Sequence, residues 1–397
     1  MPKLIIDLNA TKKNAINELN DFIDNRLHSY ESLRNYDLGE DNHQNVSLLS
    51  PYIRHRLITE QEVISAALNK FPLPKIEKFI QEVLWRTYWK GWLELRPRVW
   101  DDYKDNILIN NNKKQLLEKV LSYGTDIDCF NIWTKELIET NYLHNHARMW
   151  YASIWIHTLK LPWEAGANLF LKHLLDGDPA SNTLSWRWVA GIQTKNKSYL
   201  AKHWNIQKFT KNRINPPEEQ FSTTPSNILY KEYLPQSVKY NESKIVDWSK
   251  AGLLMTSEDI DVLSCSKIPF PINNGYVLPL CEEEYSVYAD NVISFKENSL
   301  SNYSKLLSES IKSIEVNSSH DNQIELICSW AQNNKITEVV CLATPRGYMN
   351  DFINNLKIEL DKKDIKFIKL YRDYDMKYWN LASASFFNFF KKAVQKI

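Results

Sequence analysis

The chain has 397 residues, 43% of them apolar and 24% charged, which excludes a wholly disordered chain, a collagen and a bare coiled coil. With 49 basic and 48 acidic residues the formal net charge is +1, so overall charge gives no argument for nucleic acid and only local charge can. There are 14 Trp and only 9 Gly, and twelve of the Trp precede residue 250.

Residues 12–36 read as a helix carrying Leu19, Phe22, Ile23, Leu27 and Tyr30. A polar loop follows over 37–44. Then Ser47-Leu48-Leu49-Ser50-Pro51-Tyr52 leads into another helical segment. From 59 to 200 the pattern is helix after helix, with starts marked by Thr59, Pro74 and Pro162. Residues 216–258, rich in Pro, Ser, Asn and Glu, read as an extended linker or wrap. Beyond it, 276–280, 338–343 and 365–371 are short runs rich in Val, Ile and Tyr, hence strands. Helical stretches at 301–314, 322–335 and 348–362 separate them, and 381–396 reads as a last amphipathic helix. The expected fold class is α plus α/β: a helical domain over 1–215, then a small parallel α/β unit over 259–397.

No apolar run approaches the ~18 residues of a membrane span, and the N-terminus does not read as a signal peptide. The five Cys are scattered with no CxxC, which points to a reducing cytoplasm. A monomer without a membrane partner is expected. There is no GxGxxG, P-loop or HExxH, and no metal site is expected.

The most informative stretch is 141–191. At helical spacing Asn145, Arg148, Met149 and Ala152 share one face. A pure core face would carry neither an amide nor a guanidinium. A buried Arg148 needs a carboxylate, and Asp176 and Asp178 are candidates. A structural ion pair between two helices explains the spacing equally well.

This stretch resembles the FAD-binding domain of the cryptochrome/photolyase family. His144-Asn145-His146-Ala147-Arg148-Met149 is similar to the family's HNR-x-RM helix. Asp176-Gly177-Asp178-Pro179-Ala180-Ser181-Asn182 is similar to its DGD-x-A-x-N loop, and Trp186-Arg187-Trp188 to its W-x-W pair. Upstream, Glu82-Val83-Leu84-Trp85-Arg86 is similar to EL-x-WR, residues 47–52 to TS-x-LSPY, and Tyr30 with Arg34 to the Tyr before that loop. The motifs run in the family's order over about half of the chain, and the arrangement looks closest to cyclobutane pyrimidine dimer photolyases.

The resemblance implies FAD as cofactor. Its residues would be Tyr30, Ser47, Leu48, Leu49, Ser50, Arg86, Asn145, Arg148, Asp176, Asp178 and Asn182. Loop hydroxyls and N–H groups suit a diphosphate. Asn182 would face flavin N5, where an amide oxygen accepts from a protonated nitrogen; by itself Asn182 also reads as a helix N-cap. Glu82, Trp85, Asn145, Met149 and Trp188 match the lining of a pocket for a flipped pyrimidine dimer. Asn145 and Met149 stand where the (6-4) branch has His, which disfavours (6-4) repair. Trp186 and Trp163 match the inner members of an electron-transfer chain, with Trp100 and Trp155 as candidates for the third. His146, Arg187, Lys195 and Lys197 are expected at DNA, because 179–217 contains seven Lys or Arg and no acid.

The implied function is light-driven splitting of pyrimidine dimers in DNA by a lyase. The alternatives are a cryptochrome-like blue-light sensor and a nucleic-acid-binding or partner-binding protein with a degenerate flavin site. Val46, Thr87, Phe79 and His146 depart from the family pattern. The α/β unit, which relatives carry before the flavin domain, is expected here after it. The antenna chromophore is unassigned. An iron–sulfur cluster is not expected, since the helical half holds only Cys129.

Overall fold

The computed structural model describes residues 6–8, 10–107, 114–195, 197–238, 247–317 and 319–397. Helices fill the first half. Thr59 starts one with a reciprocal cap: its backbone N–H donates to Glu62 at 2.7 Å and its hydroxyl accepts from the Glu62 N–H at 3.2 Å. Leu73–Glu94 is the longest helix, with Pro in its first turn, where the missing N–H costs nothing. Pro162 precedes Trp163–His173, as its position in the sequence predicts. Gly166 on that helix is a packing requirement, because a Cβ there would lie 2.3 Å from the Trp186 ring and 2.9 Å from Trp155.

Five parallel strands form the second layer in the order β3-β2-β1-β4-β5. They are β1 (Ala251–Thr256), β2 (Ile272–Leu278), β3 (Ile311–Val316), β4 (Glu338–Leu342) and β5 (Lys366–Leu370). The α plus α/β class is as expected, but two local expectations are corrected. The linker ends earlier than 258, because 251–256 is the central strand, buried on both faces and so apolar without alternation. The helix expected over 301–314 is Asp290–Ser304, followed by the edge strand β3, whose exposed positions include Lys312 and Glu315. Residues 221–238 do wrap the helical half. Ser226 N–H donates to His157 Nδ1 at 3.0 Å, and Gln236 N–H to the Leu95 carbonyl at 2.7 Å. Among the described residues no helix is long and apolar enough to cross a membrane.

The chain leaving β1 meets the helical half in a buried charge network. Arg54 donates to both Glu258 oxygens at 2.7 and 2.8 Å. Arg56 reaches Asp259 at 2.8 Å and both Asp375 oxygens at 2.6 and 2.9 Å. Arg372 closes the far side of Asp259 with two bonds of 2.7 Å. Burial alone would raise the Asp259 pKa, but Arg372 and Arg56 hold it below the usual carboxylate range. Arg56 itself is left-handed (φ 51°), a conformation costing roughly 1–2 kcal/mol that its ion pairs and the Asp261 N–H to Arg56 carbonyl bond (3.1 Å) hold in place. After β5 the chain returns to the helical half through Asp373–Tyr378 and ends in Phe386–Val394, packed against the 73–94 helix.

Replacing Arg56 with Met leaves Asp259 and Asp375 short of a partner inside the protein. The expected loss is about 3–5 kcal/mol, read from the urea midpoint of the full chain. A wild-type midpoint would show that the network does not hold the halves together.

Candidate functional site

The site is built where three helices meet the turn at 47–50. Residues 145–153 begin one of them, capped by the His144 ring, which accepts the His146 N–H at 3.2 Å. Pro179–Val189 begins on Asp178, whose carboxylate accepts the Ser181 N–H at 2.7 Å. Asp178, not Asn182, is therefore the N-cap. Asn182 lies one turn on, buried, and donates its amide to the Ala167 carbonyl at 2.7 Å. That bond identifies the remaining amide oxygen as the acceptor.

Arg148 pairs with Asp176 at 3.0 Å; of the two carboxylates that the sequence offered it, this is the one within reach. Its Nε donates to the Leu143 carbonyl at 2.7 Å, which fixes the fork. Burial would raise the Asp176 pKa, but Arg148, a hydrogen bond from Ser50 and Arg86 bring it below the usual range. Asp178 is likewise pushed up by burial and brought down further by Lys90, Arg54 and Arg86. Lys90 and Arg54 are partners that the motifs did not mark. Their positions gave a faint signal: Lys90 follows Arg86 by one helical turn, and Arg54 sits two residues past Tyr52.

Arg86 carries the clearest sign of a missing ligand. Its Nε and one terminal nitrogen are buried without a hydrogen-bond partner, and so is the Ser181 hydroxyl. A guanidinium and a hydroxyl left open beside two ionised carboxylates and the 47–50 turn fit a polar, phosphate-bearing group. In that turn Leu48 is left-handed (φ 55°), Leu49 is buried, and the Ser47 hydroxyl accepts the Leu49 N–H at 3.4 Å. Tyr30 packs edge-on against Phe22 (5.7 Å) and Phe79 (5.5 Å).

The residues matched to a lesion pocket have mixed settings. Asn145 is exposed, and Met149 and Trp188 are half-buried; Trp188 stacks on Tyr199 at 5.6 Å. Glu82 lies 3.8 Å from Arg34, and burial outweighs that charge to raise its pKa. Trp85 is not an open wall. Phe386 from the C-terminal helix stacks on it at 3.6 Å and 8°. Nothing local in the sequence announces that contact.

Trp186 contacts Trp155 at 6.0 Å, while Trp163 contacts Tyr103 at 5.8 Å. Two residues expected at DNA are engaged within the protein. Arg187 is buried, its guanidinium bonded to Gln193 (3.2 Å) and the Ile192 carbonyl (3.1 Å) and lying over Tyr233 at 5.2 Å. His146 is turned inward, stacked on Trp150 at 4.4 Å with Nδ1 2.9 Å from the Asn35 carbonyl, and burial lowers its pKa. Lys195 and Lys197 are exposed.

Comparison with known proteins follows the same residues. A profile of the FAD-binding domain of DNA photolyase matches residues 79–282, just over half of the chain. A deoxyribodipyrimidine photo-lyase of Streptomyces griseus is 32% identical over 161 residues, covering 39% of this chain and 35% of that protein. One of Agrobacterium fabrum is 31% identical over 185 residues, covering 45% and 37%. The chain thus spans little more than a third of the length of these relatives. Among solved structures, a bacterial class III photolyase from Agrobacterium tumefaciens superposes with a TM-score of 0.44 at 27% identity, covering 51% of this chain and 43% of that one.

The Asp176 pair sets a pH dependence. Its folded pKa is depressed, so its contribution is complete above the unfolded value of about 3.9 and is lost as pH falls through the lower folded value. Asp176→Asn should lower stability by about 1–3 kcal/mol at neutral pH and flatten the loss of stability below about pH 4. Parallel acid limbs for the two proteins in urea titrations would contradict the pairing.

Proposed function

The chain belongs to the family of the FAD-binding domain of DNA photolyase, and on that premise we propose that it is a light-driven DNA repair flavoprotein that splits cyclobutane pyrimidine dimers. The observation that carries this reading is the open guanidinium of Arg86 beside the Arg148–Asp176 pair and the capped Asp178. We assign the flavin to the helical half and treat 221–238 as a strap across it.

FAD, when bound, supplies light absorption and one-electron chemistry; the protein supplies position and electrostatics. Arg86 and the 47–50 turn hold the phosphates, and Ser47 offers its hydroxyl to them, while the Ser50 hydroxyl stays on Asp176. Tyr30 walls the site beside that turn. Arg148 and Asp176 fix the ring laterally, and Asp178, immobilised as an N-cap, faces its polar edge. Asn182 offers its amide oxygen to a protonated ring nitrogen. Glu82 and Asn145 bond the dimer's base edges, while Met149, Trp188 and Trp85 flank it. Lys195 and Lys197, exposed beyond the 179–189 helix, meet phosphates. Arg187 and His146 are left out of the DNA surface because both are engaged within the protein.

One observation favours a second reading, a blue-light sensor that binds FAD without repairing DNA. Phe386 occupies the Trp85 face on which a flipped base would stack. A repair enzyme has to displace that ring.

The test incubates photoreduced protein with an oligonucleotide containing one thymine dimer, in blue light and in the dark. Repair predicts dimer loss in light only. It also predicts that Phe386→Ala binds the dimer oligonucleotide more tightly, since base–aromatic stacking is worth ~1–3 kcal/mol. No loss in light for either protein, with flavin bound and reduced, would overturn repair in favour of sensing.

A further inference from the structure

The helix Phe386–Val394 turns one face to the protein and leaves the other open. Phe386, Phe389 and Ala393 are buried, at the spacing of a single helix face. Phe389 packs on Tyr88 at 5.4 Å, and the Tyr88 hydroxyl donates at 2.7 Å to the Ala384 carbonyl just before the helix. Arg96 donates to the Ser383 carbonyl at 2.8 Å. The opposite face carries Phe387, Asn388, Lys391 and Lys392, all exposed. Phe387 is 71% exposed, and its ring lies 5.7 Å from that of Phe386, the residue stacked on Trp85. Residues 376–397 contain four Lys and no acid.

We propose that this open face is a DNA contact: Phe387 stacks on the base left unpaired when a dimer is flipped towards Trp85, and Lys391 and Lys392 hold the adjoining phosphates. This rests on the repair reading above. The helix lies outside every motif that the resemblance marked.

Phe387 and Lys391 are one helical turn apart, so an aromatic plane and a cation leave the same side of one anchored element. No carboxylate in the segment competes with phosphate for the lysines. The ring distinguishes nucleic acid from other polyanions, because a base has a π-face and a phosphate alone has none. Extruding a nucleotide leaves its partner without a pair. Phe387 is already exposed, so it gives up no packing of its own when it covers that base. Lys391 and Lys392 also suit the last turn of a helix, whose carbonyls favour cations, but that role leaves the exposed Phe387 without a purpose. A membrane surface would require the apolar face of the helix, and that face is already buried on the 73–94 helix.

The test measures binding of the full chain, with excess FAD and in the dark, to a labelled duplex with one thymine dimer and to the same duplex undamaged, over a series of salt concentrations. All three side chains are exposed, so the variants should keep the wild-type circular dichroism. Phe387→Ala should weaken binding of the dimer duplex about tenfold and leave the undamaged duplex almost unchanged. Phe387→Trp should restore wild-type affinity. Lys391→Gln combined with Lys392→Gln should weaken both duplexes and lower the slope of log affinity against log salt by about two. Wild-type affinity and slope in these variants, with the wild type binding the dimer duplex, overturn the inference and leave the repair reading intact. An equal loss on both duplexes for Phe387→Ala overturns the base contact. A wild type that binds neither duplex overturns both readings, and binding to phosphatidylserine vesicles that is lost in Phe387→Ala would then give the helix to a membrane.

Discussion

Two arginines on one short turn hold this molecule together. Arg54 and Arg56 leave the Ser50–Arg54 helix and its following turn, and both enter the carboxylates that follow β1. The carboxyl end of an open parallel sheet is where such sheets ordinarily expose a ligand crevice. Here that end is closed by ion pairs from the helical half and from Arg372. Arg54 also lies 3.7 Å from Asp178, the cap of the 179–189 helix. The contact that docks the sheet therefore also fixes one wall of the candidate flavin site. Fully desolvated pairs of this kind add little net stability over an apolar contact, but they punish any other register.

That coupling changes how the α/β unit should be understood. It does not hang from the helical half on a linker. Its last segment crosses back and stacks Phe386 on Trp85, and its 348–361 helix puts Asp351 on the Trp100 indole. One face of the expected lesion pocket and the acceptor of the buried Trp100 indole are both supplied by residues beyond 340. In this chain the α/β unit contributes directly to the surface on which lesion binding is proposed to occur.

Much of the site was legible because its information is local. The resemblance marked Arg148 and Asp176 in two separate motifs, while Asp178 and Asn182 sit in one short motif across a helix start. The outer layer was less legible. β1 is an apolar run without alternation, preceded by polar sequence, so it read as the end of a linker. β3 follows a helix closely and carries exposed charges at Lys312 and Glu315, without an apolar alternation. Arg187 belongs to an acid-free run and was read as a surface charge, yet it shares a helix face with the buried Thr183 and Leu184. Helical register outweighs composition there. Phe386 on Trp85 could not be read at all, since two aromatic residues in separate halves of a chain carry no mark of each other.

The claim on which the rest depends is that the open guanidinium of Arg86 and its neighbours hold a flavin. The most direct measurement is the flavin content of the purified full chain, by absorbance and by release on denaturation, after incubation with excess FAD. One FAD per chain, lost or greatly reduced in Arg86→Leu with the fold intact by circular dichroism, is the predicted result. A colourless protein that takes up no FAD would contradict the account at its centre.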